Sequence, residues 1–315
     1  MKIVIVEGYA VNPGDISWQS IAAFGELKVY DRTSEHLIAE RCRNADIILS
    51  NKLTFRRETI LELHNTKLIC VLATGYNVID TNAAKEKNII VCNVPAYGTA
   101  SVAQHTIALL LELANHVGVH AKSVAEGEWL DAPDWCYTKT PIIELAGKTL
   151  GIVGFGNIGE RVAHIAKALG MNVLYYSPNQ KKTDLGEYAD MQTLFAQSNF
   201  ISLHCPLKKD NLQFVNKSLL ELVKPSSFLI NTARGQLIHE QDLADALNHQ
   251  TIAGAALDVL SVEPPNESNP LLSAKNCIIT PHTAWISREA RQRIIDTTAK
   301  NIEAFLKGKP IHVVS

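Results

Sequence analysis

Three side chains suited to acid–base chemistry and to carboxylate binding each follow a separate apolar, β-rich segment. Arg234 lies in NTARG after SFLIN, Glu263 lies in VLSVEPP after IAGAALDV, and His282 lies in TPHTAW after CIIT. Any one of them alone could be a salt-bridge partner or a satisfied polar group. The carboxyl ends of parallel strands meet at one edge of a sheet, where ligands bind. We therefore predict that the three side chains lie together in one site.

A glycine pattern earlier in the chain predicts what binds at that edge. Residues 150–161 read LGIVGFGNIGER, so Gly154, Gly156 and Gly159 form G-x-G-x-x-G after the strand pattern TLGIV and before the helical pattern ERVAHIAKALG. The first glycine permits a tight turn, the second lets the backbone approach a pyrophosphate, and the third lets helix and strand pack closely. The helix N-terminus adds free N–H groups and a positive dipole end. The segment predicts a dinucleotide site.

The three side chains fit the chemistry of a nicotinamide dinucleotide. A hydride transferred to or from nicotinamide must be matched by a proton given to a carbonyl or taken from a hydroxyl, and histidine can do both near neutral pH. Glu263 hydrogen-bonded to His282 would fix the ring tautomer and favour the protonated ring. Arg234 offers a planar fork that can bind a carboxylate and polarise an adjacent keto oxygen. The combination predicts an oxidoreductase.

The end of the next predicted strand bears on the choice between NAD and NADP. NAD-binding units usually place Asp or Glu there, about 20 residues past the glycines, to bind the ribose 2′-hydroxyl. Here the strand NVLYY is followed by Ser177, and no carboxylate is present to repel a 2′-phosphate. Asn179, Lys181 and Lys182 could help Ser177 to bind that phosphate, or the lysines could be solvated and Ser177 could serve NAD. We expect NAD or NADP as cofactor, with NADP preference or dual use favoured.

The position of the glycine pattern predicts the domain organisation. It lies at the middle of a 315-residue chain, so the nucleotide domain is expected to be inserted within another domain. Short β-rich runs alternate with helical patterns, which is typical of parallel α/β sheets. We predict an α/β fold of two Rossmann-like, parallel-sheet domains, a flavodoxin-like outer one and a dinucleotide-binding inner one, with a cleft between them. Residues 1–100 and 286–315 would form the discontinuous substrate-binding domain, and residues 101–285 the inserted NAD(P)-binding domain.

The predicted elements follow this division. The outer domain has predicted strands at 2–8, 27–31, 46–51, 68–74 and 89–94, with helical patterns at 34–43 and 59–64. The inserted domain has predicted strands at 149–153, 172–176, 200–204, 227–231, 252–258 and 277–280. A long apolar helix is predicted over 101–117, a loop rich in aromatic residues over 126–141, and a last helix over 288–306 that returns to the outer domain.

Composition excludes several classes of protein. With a net charge of −2, the chain has no basic surplus to neutralise nucleic-acid phosphates. The N-terminal run MKIVIVEGYAVNPGD contains Glu7 and no small-residue cleavage site, which predicts a first strand rather than a signal peptide. The most apolar segment, 107–113, is too short to span a bilayer. The 6 cysteines and 11 histidines of the chain form no metal-binding motif. We therefore expect reduced thiols, no metal and a cytoplasmic protein.

Eight segments, in this order and spacing, resemble the D-isomer-specific 2-hydroxyacid dehydrogenase family over essentially the whole chain. They are LATGYNVID (72–80), ASVAQHT (100–106), GFGNIG (154–159), HCPL (204–207), NTARG (231–235), ALDV (256–259), VEPP (262–265) and TPHTAW (280–285). The resemblance implies that Arg234, Glu263 and His282 are the catalytic set. It also implies that backbone N–H groups around Thr74 and Gly75 hold the substrate carboxylate in the cleft between the domains.

The resemblance implies a larger set of contacts to the cofactor besides the three glycines. They are Thr99 and Val102 near the nicotinamide ring, Asn157 and Ile158 over the pyrophosphate, Pro206 beside the adenosine, Thr232 and Ala233 near the nicotinamide ribose, Asp258 as acceptor from the carboxamide, and Ser177, His204, Arg234 and His282 as further contacts. For most of these residues the alternative is loop packing. Asn51, Lys52 and Trp285 could reach the substrate from the cleft.

The resemblance also implies an activity. Within the family, NKLTF, LAGKTLGIVGFG, LDVLSVEPP and PHTAW look closest to bacterial glycerate dehydrogenases, also called hydroxypyruvate reductases. The expected reaction is NAD(P)-dependent interconversion of a small 2-keto acid and its D-2-hydroxy acid, with hydroxypyruvate or glyoxylate as the favoured keto acid. D-lactate or phosphoglycerate dehydrogenase activity is an alternative. Another is a non-catalytic, nicotinamide-sensing binding protein of the kind found among transcriptional corepressors.

The expected partners are few. A small keto or hydroxy acid is the expected substrate, and neither nucleic acid nor a membrane is expected to bind. The long apolar helix and the aromatic loop predict an apolar face that a homodimer would bury, and the resemblance implies the same.

Overall fold

The computed structural model describes residues 1–315 and divides into two compact units. Unit 1 comprises Met1–Gly98 and Trp285–Ser315, and unit 2 comprises Thr99–Ala284. The predicted boundaries, at 100 and 286, lie one or two residues beyond these divisions. Each unit contains one parallel sheet between helices, so the predicted α/β class is confirmed.

Unit 1 contains a 5-stranded sheet in the order β2-β1-β3-β4-β5. Its strands all run parallel. The central strand, IILS, and its neighbour LICV are buried at every residue, as expected for parallel strands covered on both faces. The strands are β1 (Lys2–Ile5), β2 (Glu26–Val29), β3 (Ile47–Ser50), β4 (Leu68–Val71) and β5 (Ile90–Cys92).

Short helices connect these strands. Asp80 caps the helix at Thr81–Glu86, because its carboxylate accepts the backbone N–H of Ala83 (2.9 Å). The helices are α1 (Gln19–Ala22), α2 (Ile38–Cys42), α3 (Arg57–Leu61) and α4 (Thr81–Glu86), with a 3₁₀ turn at Glu35–Leu37.

Unit 2 contains a 7-stranded sheet in the order β12-β11-β10-β9-β6-β7-β8. Buried side chains alternate between two apolar clusters along its strands: Phe228 and Ile230 belong to one cluster and Leu229 to the other. Both faces of this sheet are therefore covered. The strands are β6 (Thr149–Val153), β7 (Asn172–Tyr176), β8 (Glu187–Tyr188), β9 (Phe200–Leu203), β10 (Phe228–Asn231), β11 (Gly254–Leu257) and β12 (Cys277–Ile279).

Six helices belong to unit 2. They are α5 (Thr99–Asn115), α6 (Val117–Ala125), α7 (Asn157–Ala168), α8 (Met191–Gln197), α9 (Lys217–Leu220) and α10 (Glu240–Asn248), with 3₁₀ turns at Lys209–Asn211, Gly235–Leu237 and Pro270–Ser273. None of the protein's helices combines the length and apolar character needed to cross a membrane.

The last helix, α11 (Arg288–Leu306), belongs to unit 1 as predicted. Its buried Ile294, Ile295 and Ile302 pack in the same cluster as Ile3 and Ile5 of β1. After the helix, Val314 donates its backbone N–H to the carbonyl of Val91 in β5 (2.8 Å). The final residues thus close the edge of the unit 1 sheet.

Several elements differ from the predictions. The strands predicted over 2–8 and 68–74 end earlier, at Ile5 and Val71, and the helical pattern at 59–64 is a helix at Arg57–Leu61. The helix predicted over 101–117 is two helices, because His116 has a left-handed backbone (φ 50°) that separates α5 from α6. The strand predicted over 252–258 is shorter (Gly254–Leu257), and the two-residue edge strand β8 was not predicted. The predicted loop over 126–141 contains no helix or strand.

Candidate active site

The predicted site residues of unit 2 follow strand ends at one edge of its sheet. The residues after β6, β9, β10, β11 and β12 are Gly154, His204, Thr232, Asp258 and Thr280, and these strands are parallel. From β6 the sheet extends through β7 and β8 on one side. The chain then returns to place β9 on the other side of β6, so the winding direction reverses between β6 and β9. Ligands of open α/β sheets bind at such a reversal.

The glycine turn lies at that reversal. Gly154 has φ 99°, and a Cβ there would lie 2.4 Å from the backbone N of Cys205, so a side chain would collide with the end of β9. A Cβ on Gly159 would lie 2.3 Å from the carbonyl oxygen of Gly154, which keeps α7 close to the turn. Gly156 differs, because no atom lies within 4 Å of the position where its Cβ would be.

This open space suits a dinucleotide pyrophosphate. Gly156 is the N-cap of α7, and no side chain caps the helix, so the N–H groups of its first turn are available to a phosphate. Asn157 is exposed and Ile158 is half-buried in that first turn. The residues present therefore fit the phosphates of a nicotinamide dinucleotide, as the G-x-G-x-x-G pattern predicts.

The loop after β7 holds the residues predicted to bind a 2′-phosphate. Ser177 is buried, and its hydroxyl donates to the carbonyl of Asn179 (2.5 Å). The Nζ of Lys181 pairs with Glu160 of α7 (2.5 Å), and the hydroxyl of Tyr175 bonds both the N–H and the carbonyl of Lys181. Lys182 is exposed. One of the two predicted lysines is thus already held by a carboxylate.

His204 follows β9 and is held by a serine on the same strand. Its Nε2 lies 2.8 Å from the hydroxyl of Ser202. Burial lowers the pKa of His204 from 6.5 to about 3, so the ring is neutral at physiological pH. The neighbouring Pro206 is exposed.

Arg234 is carried by a loop that a buried asparagine shapes. Asn231, the last residue of β10, accepts the N–H of Ala233 (3.0 Å) and donates to the carbonyl of Arg234 (2.9 Å). The exposed guanidinium of Arg234 donates through Nη1 to the carbonyl of Ala233 (2.6 Å). At the start of the same loop, the hydroxyl of Thr232 lies 2.9 Å from that of Thr106 on α5.

The Arg234 loop packs directly against the loop that carries Glu263. A Cβ on Gly235 would lie 1.9 Å from the carbonyl carbon of Leu260, so only glycine fits there. Gln236 donates to the carbonyl of Ser261 (2.7 Å). Glu240 accepts both the N–H and the hydroxyl of Ser261 (2.7 Å each). The two loops therefore form one block.

Glu263 and His282 lie in direct contact. The Oε2 of Glu263 lies 2.6 Å from the Nδ1 of His282, and the Oε1 accepts the backbone N–H of Leu260 (3.1 Å). Their side chains are 37% and 25% exposed, so the pair is open to a ligand. His282 has φ 54°, which a non-glycine residue adopts only where its surroundings impose it. The predicted histidine–carboxylate pair is therefore present.

The constraint on His282 comes from Asp258. The buried carboxylate accepts the hydroxyl of Thr280 (2.6 Å), the N–H of Thr283 (2.8 Å) and the N–H of Ala284 (2.9 Å), while its carbonyl accepts the N–H of His282 (2.8 Å). Burial raises the pKa of Asp258, but these bonds and His105 more than offset it, so the net shift is downward. Asp258, predicted to accept from a carboxamide, thus holds the chain on both sides of His282.

Sequence reasoning missed four residues that support this edge. The Nε2 of His105 on α5 lies 3.1 Å from the Thr280 hydroxyl and 3.4 Å from the Asp258 carboxylate. Thr106, Asn231 and Glu240 hold the loops described above. Three of the four lie inside quoted motifs, ASVAQHT and NTARG, but neither motif indicates which side chains they meet. Glu240 carries no signal of its own.

Thr99 and Val102 lie in the first turn of α5. Val102 is 8% exposed, and its carbonyl accepts the hydroxyl of Thr106 (2.9 Å).

No group of three or more His, Cys, Asp or Glu side chains could hold a metal ion.

The substrate residues predicted in unit 1 follow the ends of its strands. Thr74 and Gly75 come after β4, where the Thr74 hydroxyl donates to Val94 (2.9 Å). Asn51, directly after β3, is buried, and its amide donates to the carbonyl of Leu72 (3.2 Å), whereas Lys52 is exposed. Trp285 packs edge-on against Tyr97, with ring centroids 6.2 Å apart.

The fold and the edge of unit 2 define a class of protein: a two-unit parallel α/β protein with a dinucleotide-binding turn and an adjacent histidine–carboxylate pair. Residues 107–284 match the model of the D-isomer specific 2-hydroxyacid dehydrogenase NAD-binding domain. The chain belongs to the D-isomer-specific 2-hydroxyacid dehydrogenase family. It is an oxidoreductase that binds a nicotinamide dinucleotide.

Individual relatives agree with this assignment. The chain is 49% identical, over the full length of both proteins, to a hydroxypyruvate reductase of Blautia hydrogenotrophica. It is 40% identical over 292 residues, 92% of each protein, to a glycerate dehydrogenase of Methylorubrum extorquens. A solved structure of an acyclic imino acid reductase in complex with NADPH and D-Arg is similar over 100% of both chains, with a TM-score of 0.88 and 31% identity.

The lowered pKa of His204 predicts an acid-dependent loss of stability. In the unfolded chain the ring takes up a proton below about pH 6.5, whereas in the folded protein it does so only near pH 3. The stability present above pH 6.5 is therefore lost progressively as the pH falls toward 3. One proton is involved, so the contribution changes by at most about 1.4 kcal/mol per pH unit.

Urea unfolding of the wild type and of His204→Gln, at a series of pH values, measures this contribution. We expect the free energy of unfolding to fall more steeply with decreasing pH in the wild type than in the variant. His249→Gln, which removes an exposed histidine from the same unit, serves as the control and should follow the wild type. Parallel profiles for wild type and His204→Gln would contradict the burial argument.

Proposed function

We propose that the protein reduces a small 2-keto acid, hydroxypyruvate or glyoxylate, to the D-2-hydroxy acid with NADH or NADPH. The observation that carries the proposal is the 2.6 Å contact between Glu263 and His282 at the sheet edge that also bears the glycine turn. A dinucleotide reductase of keto acids needs a proton donor at that edge. The names of the two relatives, hydroxypyruvate reductase and glycerate dehydrogenase, support the choice of substrate.

His282 gives the proton to the keto oxygen during reduction. The reduced nicotinamide supplies the hydride to the carbonyl carbon. Because Glu263 occupies Nδ1, Nε2 is the ring nitrogen that faces the substrate oxygen. The carboxylate holds the ring in one orientation and fixes which ring nitrogen faces the substrate. In the reverse direction the neutral ring takes the hydroxyl proton.

The substrate carboxylate requires donors of its own. We assign them to the guanidinium of Arg234 and to the backbone N–H groups of Thr74 and Gly75. The exposed fork of Arg234 can bind the carboxylate and polarise the adjacent keto oxygen, since a planar guanidinium presents several parallel donors. Asn51, Lys52 and Trp285 belong to the same proposal as residues that shape the substrate site.

The loss of reduced-nicotinamide absorbance on addition of hydroxypyruvate tests the proposed function. We expect turnover with the wild type, and we expect His282→Ala to lower kcat/KM on the order of 10²–10⁴-fold, because it removes the proton donor. Dinucleotide binding, followed by fluorescence, should survive in the variant. Reduction should slow with rising pH and oxidation of D-glycerate should accelerate, because the two directions need opposite protonation states of the ring.

Glyoxylate, pyruvate and phosphohydroxypyruvate, measured in parallel, identify the preferred keto acid. A clear preference for pyruvate or phosphohydroxypyruvate would overturn the substrate assignment. Dinucleotide binding without turnover of any of the four acids would favour a nicotinamide-sensing binding protein. Near-normal turnover in His282→Ala would remove the proton-donor role.

For the cofactor we propose that NADPH is accepted at least as well as NADH. Ser177 takes the place of the usual carboxylate after β7, so no negative charge there opposes a 2′-phosphate. The relative solved with NADPH has the same fold along its full length. The remaining dinucleotide contacts that the family resemblance implies are part of this proposal: Thr99, Val102, Gly154, Gly156, Asn157, Ile158, Gly159, His204, Pro206, Thr232, Ala233 and Asp258.

Ser177→Asp tests the cofactor proposal. The added carboxylate should lower kcat/KM for NADPH on the order of 10²-fold more than for NADH, since like charges in contact cost several kcal/mol. Asn172→Asp adds the same charge at the opposite end of β7 and should leave the ratio unchanged. Equal effects of Ser177→Asp on both cofactors would place the ribose away from this residue.

We also propose that the protein is a homodimer that buries the surface formed by α6 and the aromatic loop over 126–141. Its side chains Leu130 and Trp135 are 90% and 86% exposed. The segment is held in place by its own polar bonds, including Ser123 to Glu128 (2.6 Å) and Trp129 to the carbonyl of Trp135 (3.1 Å). An ordered surface that presents large apolar side chains is typical of a protein interface, and a second copy of the chain is the partner we propose.

Light scattering at micromolar concentration measures the oligomeric state. The wild type should have the mass of a dimer, and Leu130→Asp should shift it toward the monomer, because a charge in an apolar interface is left without a partner. Leu222→Asp changes a leucine that is 40% exposed elsewhere in unit 2 and should remain dimeric. A monomeric wild type would contradict the proposal.

We place the reaction in the cytoplasm. All six cysteines, including the exposed Cys136, are free thiols. Reduced thiols are typical of that compartment.

A further inference from the structure

A carboxylate at the end of β1 is bound almost entirely by one turn of the chain. The Oε1 of Glu7 accepts the backbone N–H groups of Asn51 (2.7 Å), Lys52 (2.5 Å) and Leu53 (2.7 Å), and it also accepts the hydroxyl of Ser50 (2.9 Å). We call residues 50–53 the β3 turn, because it follows β3. One oxygen therefore organises the whole turn.

Three successive N–H groups that converge on one point form an anion-binding nest. In this protein the nest of the β3 turn is filled by the chain's own Glu7. Converging N–H dipoles repel one another and each buried group needs a partner, so an anion at their centre stabilises this conformation. Hydrogen bonds donated to a carboxylate are also about twice as strong as those between neutral groups. The conformation of the β3 turn therefore depends on Glu7.

The β3 turn is connected to the strand end that precedes Thr74. The carbonyl of Ser50 accepts the N–H of Leu72 (2.7 Å), and the buried amide of Asn51 donates to the carbonyl of Leu72 (3.2 Å). Leu72 is two residues before Thr74. A change in the β3 turn is thus transmitted to residues 72–75 through two hydrogen bonds.

The same segment is held on its other side by β5 and α11. The amide of Asn93 donates to the carbonyl of Thr74 (2.7 Å), and the buried amide of Asn301 donates to the carbonyl of Asn93 (2.9 Å). His312 in turn lies 2.8 Å from the Asn301 amide oxygen. Residues 72–75 therefore have a fixed support on one side, whereas on the other side their position depends on the β3 turn and Glu7.

We propose that Glu7 is a positioning residue for the substrate: it shapes the β3 turn and thereby fixes the backbone N–H groups of Thr74 and Gly75. Glu7 acts through these residues and does not contact the substrate itself. The inference rests on the proposed function, in which Thr74 and Gly75 bind the carboxylate of the keto acid.

Steady-state kinetics of Glu7→Ala with the preferred 2-keto acid tests the inference. Without the carboxylate the nest opens and the carboxylate-binding N–H groups lose their fixed position, so KM for the keto acid should rise at least about 10-fold. The proton donor and the dinucleotide turn lie in unit 2, so kcat and KM for the dinucleotide should change little. If Glu7 only stabilised the fold, Glu7→Ala would lower the free energy of unfolding and leave KM for the keto acid unchanged.

Two further variants make the result specific. Glu7→Gln keeps an acceptor oxygen at the same reach but loses the charge, and we expect a KM increase of about threefold. Asp46→Ala removes another carboxylate that accepts a backbone N–H, that of Lys2 (2.8 Å), at the amino ends of the same two strands, β1 and β3. This control should lower the urea midpoint of unfolding and leave KM for the keto acid unchanged.

The outcomes separate the inference from the proposed function. A wild type that turns over no keto acid would refute the proposed function. An active wild type and a folded Glu7→Ala with unchanged KM would refute only the role of Glu7. If Glu7→Ala does not fold, Glu7→Gln alone decides, and an unchanged KM in that variant would overturn the inference.

Discussion

The geometry of the candidate site depends on one buried carboxylate. Asp258 is 1% exposed, and a carboxylate so far from water is stable only when donors surround it. Three of those donors come from Thr280, Thr283 and Ala284, the segment in which His282 adopts its left-handed backbone. The need to satisfy the carboxylate therefore balances the backbone strain at His282. The histidine is placed by a residue whose own side chain does not touch its ring.

The other reactive groups are coupled to this segment through backbone packing. Gly235 lies directly against Leu260, Glu240 binds Ser261, and Glu263 then reaches His282. Each contact joins a loop after one strand to the loop after its neighbour, so Arg234, Glu263 and His282 are carried by one block rather than by three independent loops. In the proposed mechanism, such preorganisation keeps the proton donor and the carboxylate-binding guanidinium in a fixed relation during the reaction.

The predictable part of the structure is the part set by short-range patterns. The glycine turn, the β10–β12 strand ends and the final helix follow from apolar runs and from the shared edge of parallel strands. Tertiary packing alone decides the rest. It brings together residues far apart in the chain, as in the pairing of Lys181 with Glu160 and the contact of His105 with Asp258, and it buries Asn51. The break between α5 and α6 at His116 was not predicted, because a left-handed backbone is uncommon at any single non-glycine residue.

The division of unit 1 into two chain segments has a consequence for how the protein is made. The ribosome synthesises residues 1–98 first. The apolar cluster that contains Ile3 and Ile5 is incomplete until α11 has supplied its three isoleucines, Ile294, Ile295 and Ile302. Unit 2 is continuous, so all of its side chains are available earlier. The usual order, in which the N-terminal domain completes its fold first, is therefore reversed here, and the apolar surface of the nascent unit 1 stays uncovered while unit 2 is being built.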